Sequence, residues 1–429
     1  MMEQQRFRID ITELDVRNFG AIKSADIEFA EFTFLVGPQN TGKTYIATLA
    51  AMLAKQVSPA LVSAVVSRVS TFLREKEMSG SISYETLNSS FKMDDIEKFV
   101  LKDAFFQANF FEQLFHQYYL VSETRELIRR GEKEATIKAY FKVNGRSFCT
   151  LAIQITIDSL STKLDFEQGA IGFLLESIKP EFYFFPEGMG SRIRYGTSPR
   201  QVTHYVPAER FMVIPIFAQV INLLLSVYRG LVQPGTLELQ TPTQFSMKQL
   251  LFDYLSDLNG ALNTPGTYKV IDMGSIIVGN RQISFQDSIH DAKFPIYSAG
   301  SGLAQLSGII IPLARLNPDF LIVEEPEVNL HPDAQLKVAE YLGEVSTSRR
   351  ILITTHSHYL IAKLAILYSK GVIRTLSGYY IDLASGVTRK LEMNRENASV
   401  ELPQSIESAM ESLASEAMKL EHNFTTREN

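Results

Sequence analysis

The feature that most constrains this chain is a change of character across Phe32 to Met52. Phe32-Thr-Phe-Leu-Val36 is a short buried-strand run. Gly37-Pro38-Gln39-Asn40-Thr41-Gly42-Lys43-Thr44 fits G-x-x-x-x-G-K-[ST], and Tyr45-Ile-Ala-Thr-Leu-Ala-Ala-Met52 has helix-forming composition. A strand that hands a glycine-rich loop to the start of a helix makes a phosphate-binding loop. Its backbone N–H groups point inward at a polyphosphate, Lys43 reaches the β/γ oxygens, and the Thr44 hydroxyl ligates Mg²⁺. Glycines are needed where the backbone comes close or turns left-handed, and Asn40 occupies a position that asparagine tolerates in that conformation.

A second stretch answers the first. Phe320-Leu-Ile-Val323 reads as a fully buried parallel strand that runs directly into Glu324 and Glu325 and is stopped by Pro326. Ligands collect at the carboxyl ends of strands in open α/β sheets, and a carboxylate pair there must be paired, solvated or metal-bound. The expected division of labour gives Glu324 to Mg²⁺ and Glu325 to the water that attacks the γ-phosphate. Arg350-Ile-Leu-Ile-Thr-Thr355 is another buried strand, ending at His356, which is placed to contact a phosphate oxygen. Upstream, Tyr297-Ser298-Ala-Gly300-Ser301-Gly302 opens an apolar helix, and Ser298 and Gly300 are candidates for a second anion-binding helix start.

At 429 residues the chain exceeds what one growing core usually supports, so a main domain with a substantial insertion is expected. The formal charge of -6 argues against a surface that is basic throughout. A lone cysteine, Cys149, excludes an internal disulfide and suits a reducing cytoplasm, where the chain is placed. The polar start, MMEQQRFRID, lacks the apolar core of a signal peptide. Phe211–Gly230 approaches membrane-span length but carries Pro215, Gln219, Asn222 and Ser226, so it reads as a buried helix and no membrane partner is expected.

The main domain is assigned to residues 1–60 and 200–395, an inserted helical and β-hairpin region to 61–199, and a helical tail to 396–429. Within the insertion, Phe105–Tyr119 places aromatics at helical spacing, and Asn144-Gly145 between alternating runs signals a hairpin. Arg192, Arg194 and Arg200 around Tyr195 read as a solvated loop, the alternative being arginines that hold a nucleic-acid phosphate backbone while the aromatic stacks a base.

In their order along the chain, Gly37–Thr44, Ser298–Gly302, FLIVEEPEVNLHP and ILITTHS resemble the Walker A, signature, Walker B/D-loop and switch-histidine motifs of ABC-type ATPase heads. ELDVRNFGAIKSADIEF and the EEPE-x-x-LHP form resemble the branch holding SMC-like proteins and OLD-family (overcoming lysogenization defect) ATPases, as does His204-Tyr-Val-Pro-Ala-Glu-Arg210. The resemblance implies an α/β P-loop NTPase fold of ABC head type and a head-to-head homodimer, or higher oligomer, sandwiching two ATP molecules. Lys43, Glu325 and His356 would be catalytic. The whole Gly37–Thr44 loop with Ser298 and Gly300 would bind ATP, and Thr44 and Glu324 would bind Mg²⁺. Departures include Ser-Ala-Gly-Ser-Gly at the signature, His358 where relatives often have proline, and Gln39 in place of an asparagine. Arg210 and Gln201 are candidates for the family's glutamine loop. The stretch after Ser357 offers no Asp-x-Asp pair for the Toprim nuclease metals of OLD proteins. The chain therefore resembles stand-alone bacterial AAA-type heads that regulate a separately encoded effector, a nuclease or toxin, in antiphage defence or abortive infection. The alternative is a DNA-binding SMC-like ATPase of repair or chromosome maintenance, which makes nucleic acid a further candidate partner.

Overall fold

The computed structural model describes residues 8–78, 82–178, 202–210, 249–270, 274–279, 282–298 and 300–401. The chain opens with an antiparallel hairpin, β1 (Ile9–Phe19) and β2 (Ile22–Glu28), then β3 (Phe32–Val36) and α1 (Lys43–Met52). A π-turn at Leu53–Val57 carries α1 without a break into α2 (Ser58–Glu75). Pro59 has no N–H to offer the preceding turn, and the widened turn lies just before it. Next come α3 (Tyr84–Ser90), α4 (Met93–Val100) and α5 (Ala108–Tyr119), three antiparallel strands β4 (Glu134–Val143), β5 (Arg146–Thr156) and β6 (Leu160–Phe166), and α6 (Ala170–Ile178). After β7 (Thr203–Val206), α7 (Gln249–Leu262) leads to the small strands β8 (Gly266–Val270), β9 (Gly274–Gly279), β10 (Gln282–Asp287) and β11 (Lys293–Pro295). The remainder alternates: α8 (Ser301–Leu316), β12 (Phe320–Glu324), α9 (Pro332–Ser346), β13 (Arg350–Thr355), α10 (His358–Ser369), β14 (Leu376–Ile381) and β15 (Thr388–Lys390).

The organising layer is a six-stranded sheet in the order β15-β14-β3-β13-β12-β7, parallel except for its β15 edge. Its central strands are apolar on both faces because both faces are covered. Along β12, Phe320 and Ile322 join one hydrophobic core while Leu321 and Val323 join another. In β3, Leu35 faces the first core, and Phe32, Phe34 and Val36 face the second. The first core takes in α1, α2 and the antiparallel strands β1, β2 and β4 to β6; the second takes in β8 to β10 and α7 to α10. Burying one such side chain contributes about 1.5–3 kcal/mol. The fit is close enough that a Cβ on Gly378 of β14 would meet the Phe34 ring at 2.3 Å.

The region expected as an insertion does not stand apart from the N-terminal strands. β1 pairs with β2 on one side and β4 on the other, giving one antiparallel sheet in the order β2-β1-β4-β5-β6. A two-stranded hairpin is marginal alone, and the later strands complete it. Asn144 and Gly145 both have positive φ, 46° and 83°, as the expected two-residue hairpin turn requires. The aromatic stripe is partly helical: α5 begins at Ala108, so Phe105 and Phe106 precede it, and Phe111, Phe115 and Tyr118 are its buried positions.

The continuous helix Lys43–Glu75 is long and apolar enough to cross a membrane by length and composition, but 67% of its most apolar window is buried inside the protein, as in a core helix. Phe211–Gly230, the Arg192–Arg200 loop, Gln201 and the tail from residue 402 lie outside the described residues.

Candidate functional site

Register places the site. Val36 of β3 is paired with Thr355 of β13, and Thr354 with Glu324 of β12. Gly37, His356 and Glu325 therefore leave three adjacent parallel strands side by side at the carboxyl edge, where an α/β sheet offers its ligand crevice.

The loop after β3 is shaped by its backbone. Gly42, at φ 99°, is the N-cap of α1, and Asn40 is left-handed at φ 61°. Gly37 has φ 155°, and a Cβ there would meet the Ile381 carbonyl oxygen at 2.5 Å, so only glycine lets the loop lie against the end of β14. Thr41 Oγ1 donates to the Pro38 carbonyl at 3.0 Å, and Lys43 Nζ donates to the carbonyls of Gly37 at 2.9 Å and Pro38 at 2.7 Å. Burial pulls the Lys43 ammonium down to about 8, against the opposing pull of Glu325, Glu327 and Glu324. A cation in that setting gains from any anion that enters. Thr44 is exposed at the first turn of the helix, and Pro38 and Gln39 form the outer part of the loop.

Glu324 and Glu325 separate at the strand end. Glu324 is the last residue of β12, buried at 4% exposure, and shares a hydrogen bond with Tyr205, whose hydroxyl also bonds Thr48. Glu325 is already outside the strand, left-handed at φ 42°. Such a conformation in a residue with a side chain costs about 1–2 kcal/mol and needs support. Support comes from its own N–H, which donates to the Thr354 carbonyl at 2.9 Å, and from its carbonyl, which accepts from Arg210 at 2.8 Å. The strand thus ends at Glu324, two residues before Pro326, and Glu325 already belongs to the turn.

Arg210, completely buried, also donates to the carbonyls of Glu324 at 2.6 Å and Pro207 at 3.0 Å. Burial lowers its guanidinium to about 10, with Tyr254 and the three glutamates opposing. Arg210 therefore holds the backbone of the carboxylate turn. His356 Nε2 lies 3.5 Å from Glu325 Oε1. The neighbouring His356 imidazole is the main cause that holds the Glu325 carboxyl below its ordinary range; burial works against it, and Lys43 and Arg210 reinforce it.

Ser298 and Gly300 stand at the start of α8. Ser298 ends a short turn (Ile296–Ser298) and is exposed, and Gly300 is the N-cap of α8 with no side-chain capping bond. No hydrogen bond among the described residues joins either of them to the Gly37–Thr44 loop. The tightest packing in this turn falls on Gly302: a Cβ there would meet Leu330 Cδ2 at 2.9 Å and the Asn329 carbonyl at 3.2 Å, while Gly300 has open space around it. His204 is not part of the carboxyl edge; it is buried within β7 with Nδ1 2.9 Å from Asp257 Oδ2, and burial lowers it.

Two residues at the carboxyl edge went without a role in the sequence reading. Glu327, 8% exposed, accepts from Thr355 Oγ1 at 2.8 Å and from the His356 N–H at 2.6 Å. Gln335 of α9 accepts from Ser357 Oγ at 2.5 Å and donates to the Leu330 carbonyl at 2.9 Å. The only sequence signal for Glu327 is its place as the last glutamate of EEPE.

The donor set suits magnesium: Thr44 and Glu324 offer one hydroxyl and one carboxylate, and this ion takes few protein ligands, filling its octahedron with phosphate and water oxygens. Among the described residues no group of three or more His, Cys, Asp or Glu side chains converges as a self-sufficient metal cage.

Residues 222–361 match the family described as an AAA ATPase domain. No curated protein matches the sequence. Among solved structures, the SMC head domain from Thermotoga maritima is 12% identical, over 90% of this chain and 99% of that one, with a TM-score of 0.38. An SmcHead bound to the C-winged helix domain of ScpA is 12% identical, over 90% and 98%, with a TM-score of 0.43. The recombination mediator protein RecF-ATPrS of the RecFOR pathway is 11% identical, over 90% and 98%, with a TM-score of 0.35. The site's chemistry rests on this chain's own residues. The sheet order, the glycine-rich loop between β3 and α1, and the AAA ATPase match make this a mixed α/β fold of the P-loop NTPase class.

Proposed function

We propose that the chain binds and hydrolyses Mg-ATP in a head-to-head dimer, and that ATP-driven assembly controls a separately encoded effector, a nuclease or toxin, in bacterial antiphage defence or abortive infection. The observation that carries the hydrolytic part is the convergence of Gly37, Glu325 and His356 at one sheet edge, with Glu325 held in a left-handed turn 3.5 Å from His356 Nε2.

The loop amides and Lys43 bind the phosphates. Mg²⁺, held by Thr44 and Glu324, would supply charge neutralisation on the β- and γ-phosphates. Glu325, kept ionised by His356, orients a water and accepts its proton, while His356 contacts the γ-phosphate. Ser298 and Gly300, which have no hydrogen bond to the chain's own loop, would serve the nucleotide held by the second copy. The effector part is supported by the sequence resemblance to OLD-like stand-alone heads.

The test is the solution mass of wild type and Glu325→Gln with and without Mg-ATP, with phosphate release followed in the same samples. Glu325→Gln is expected to lose turnover by at least about a hundredfold, retain nucleotide and accumulate as a dimer or larger. Normal hydrolysis by this variant removes the catalytic assignment. The trapped species then serves for capture of the effector, and salt-dependent retention of duplex DNA in its place would move the reading to an SMC-like DNA transaction.

A further inference from the structure

We infer that Glu327 is a positioning residue: through one carboxylate oxygen it fixes the chain beyond β13 and so sets the His356 imidazole against Glu325. This rests on the hydrolytic reading above and adds to it a residue with no direct contact to nucleotide.

The geometry is concentrated on a single atom. Glu327 Oε1 accepts the His356 backbone N–H at 2.6 Å and the Thr355 hydroxyl at 2.8 Å, while Oε2 makes no hydrogen bond among the described residues. Thr355 Oγ1 in turn accepts the Ser357 N–H at 3.0 Å. Thr355, His356 and Ser357 are thus tied in succession to one buried oxygen. β13 has no ladder partner to offer here, since its pairing ends at Thr355. The same turn that displays Glu325 also delivers Glu327: the Val328 N–H closes back onto the Glu325 carbonyl at 3.1 Å. One turn therefore carries both the carboxylate that faces His356 Nε2 and the carboxylate that holds the His356 backbone. Loss of the second leaves the imidazole free to drift, and displacement of a catalytic group by about 1 Å can cost on the order of a hundredfold in rate.

Only an acceptor oxygen is required, and this separates positioning from charge. Glu327→Gln keeps the carbonyl oxygen and is expected to hold kcat within about threefold of wild type. Glu327→Ala removes the acceptor and is expected to lower kcat about tenfold to a hundredfold, with KM for ATP within about threefold. The double variant Glu327→Ala/His356→Ala is expected to be no slower than His356→Ala alone, because Glu327 acts through that histidine. Amide hydrogen exchange of the Thr355–Ser357 segment is expected to quicken in Glu327→Ala and to stay slow in Glu327→Gln.

Full additivity of the two alanine substitutions, an unchanged kcat in Glu327→Ala, or an equal loss in Glu327→Gln each overturns the inference. If the wild type shows no ATP turnover, the hydrolytic reading fails on its own account. The exchange measurement then judges the positioning by itself: equal rates in Glu327→Ala and wild type overturn it, and faster exchange in the alanine variant alone supports it.

Discussion

The two ends of the parallel sheet both bury cations, and they do so in opposite ways. At the amino end Arg350, the first residue of β13, is paired with Asp10 at 2.6 Å, donates to the Ile11 carbonyl at 2.6 Å and lies 4.8 Å over the Phe320 ring. Arg8 joins the same Asp10 at 2.8 Å. Because Asp10 belongs to β1, this cluster clamps the antiparallel sheet to the parallel one. At the carboxyl end Lys43 donates, among the described residues, to loop carbonyls alone, and its carboxylate neighbours there act on it without a hydrogen-bonded pair. A buried charge tied to a fixed partner stabilises one arrangement. A buried charge held by neutral carbonyls keeps its attraction available to an entering anion.

That contrast can be broken or sharpened by experiment. The largest effect should come from Lys43→Ala, which is expected to abolish detectable ATP binding and to lower turnover about a thousandfold, roughly 4 kcal/mol, with the urea midpoint little changed. Arg350→Ala should do the reverse, costing about 3 kcal/mol of stability in urea unfolding while the folded fraction keeps its ATP affinity. Equal damage by the two substitutions to binding and to folding would erase the distinction.

A pH series is the next test. The Lys43 ammonium is lowered from its ordinary 10.5 to about 8. Below pH 8 folded and unfolded chains both carry the proton, and between about 8 and 10.5 the unfolded chain alone carries it, so this group makes stability rise with pH across that window. Nucleotide binding has the opposite sign, because the phosphates need the charged form. ATP affinity, followed by calorimetry, is expected to weaken about tenfold per pH unit above 8, a slope that Lys43→Arg should abolish. The smallest effect is expected for Ser357→Ala, which removes the N-cap of α10 and the bond to Gln335 and should cost about 1 kcal/mol in thermal unfolding with ATP binding intact.

Much of the fold was legible because its signals are local. The run Phe32–Val36, the eight residues of the loop and the helical composition after Tyr45 sit next to one another in the chain, so their order alone specifies strand, cradle and helix. The left-handed Asn40 and the Asn144-Gly145 turn were legible for the same reason, since backbone sterics act within a residue or two. The antiparallel sheet was not: β1 and β4 lie far apart in sequence, and only the need of β1 for a second ladder joins them.

At the carboxyl edge the same divide holds. A glycine-rich loop, a tandem carboxylate and a histidine at the ends of buried strands can be read from the residues in order, because strand and turn signals are short-range. Tertiary structure alone decided that β13 lies between β3 and β12, that Arg210 grips the carbonyls of Glu324 and Glu325, and that Glu327 reaches Thr355 and His356 across a separation of 28 and 29 residues. The physical reason is that hydrogen bonds and charge act through space, and which distant groups meet is fixed only when the strands take their order and register.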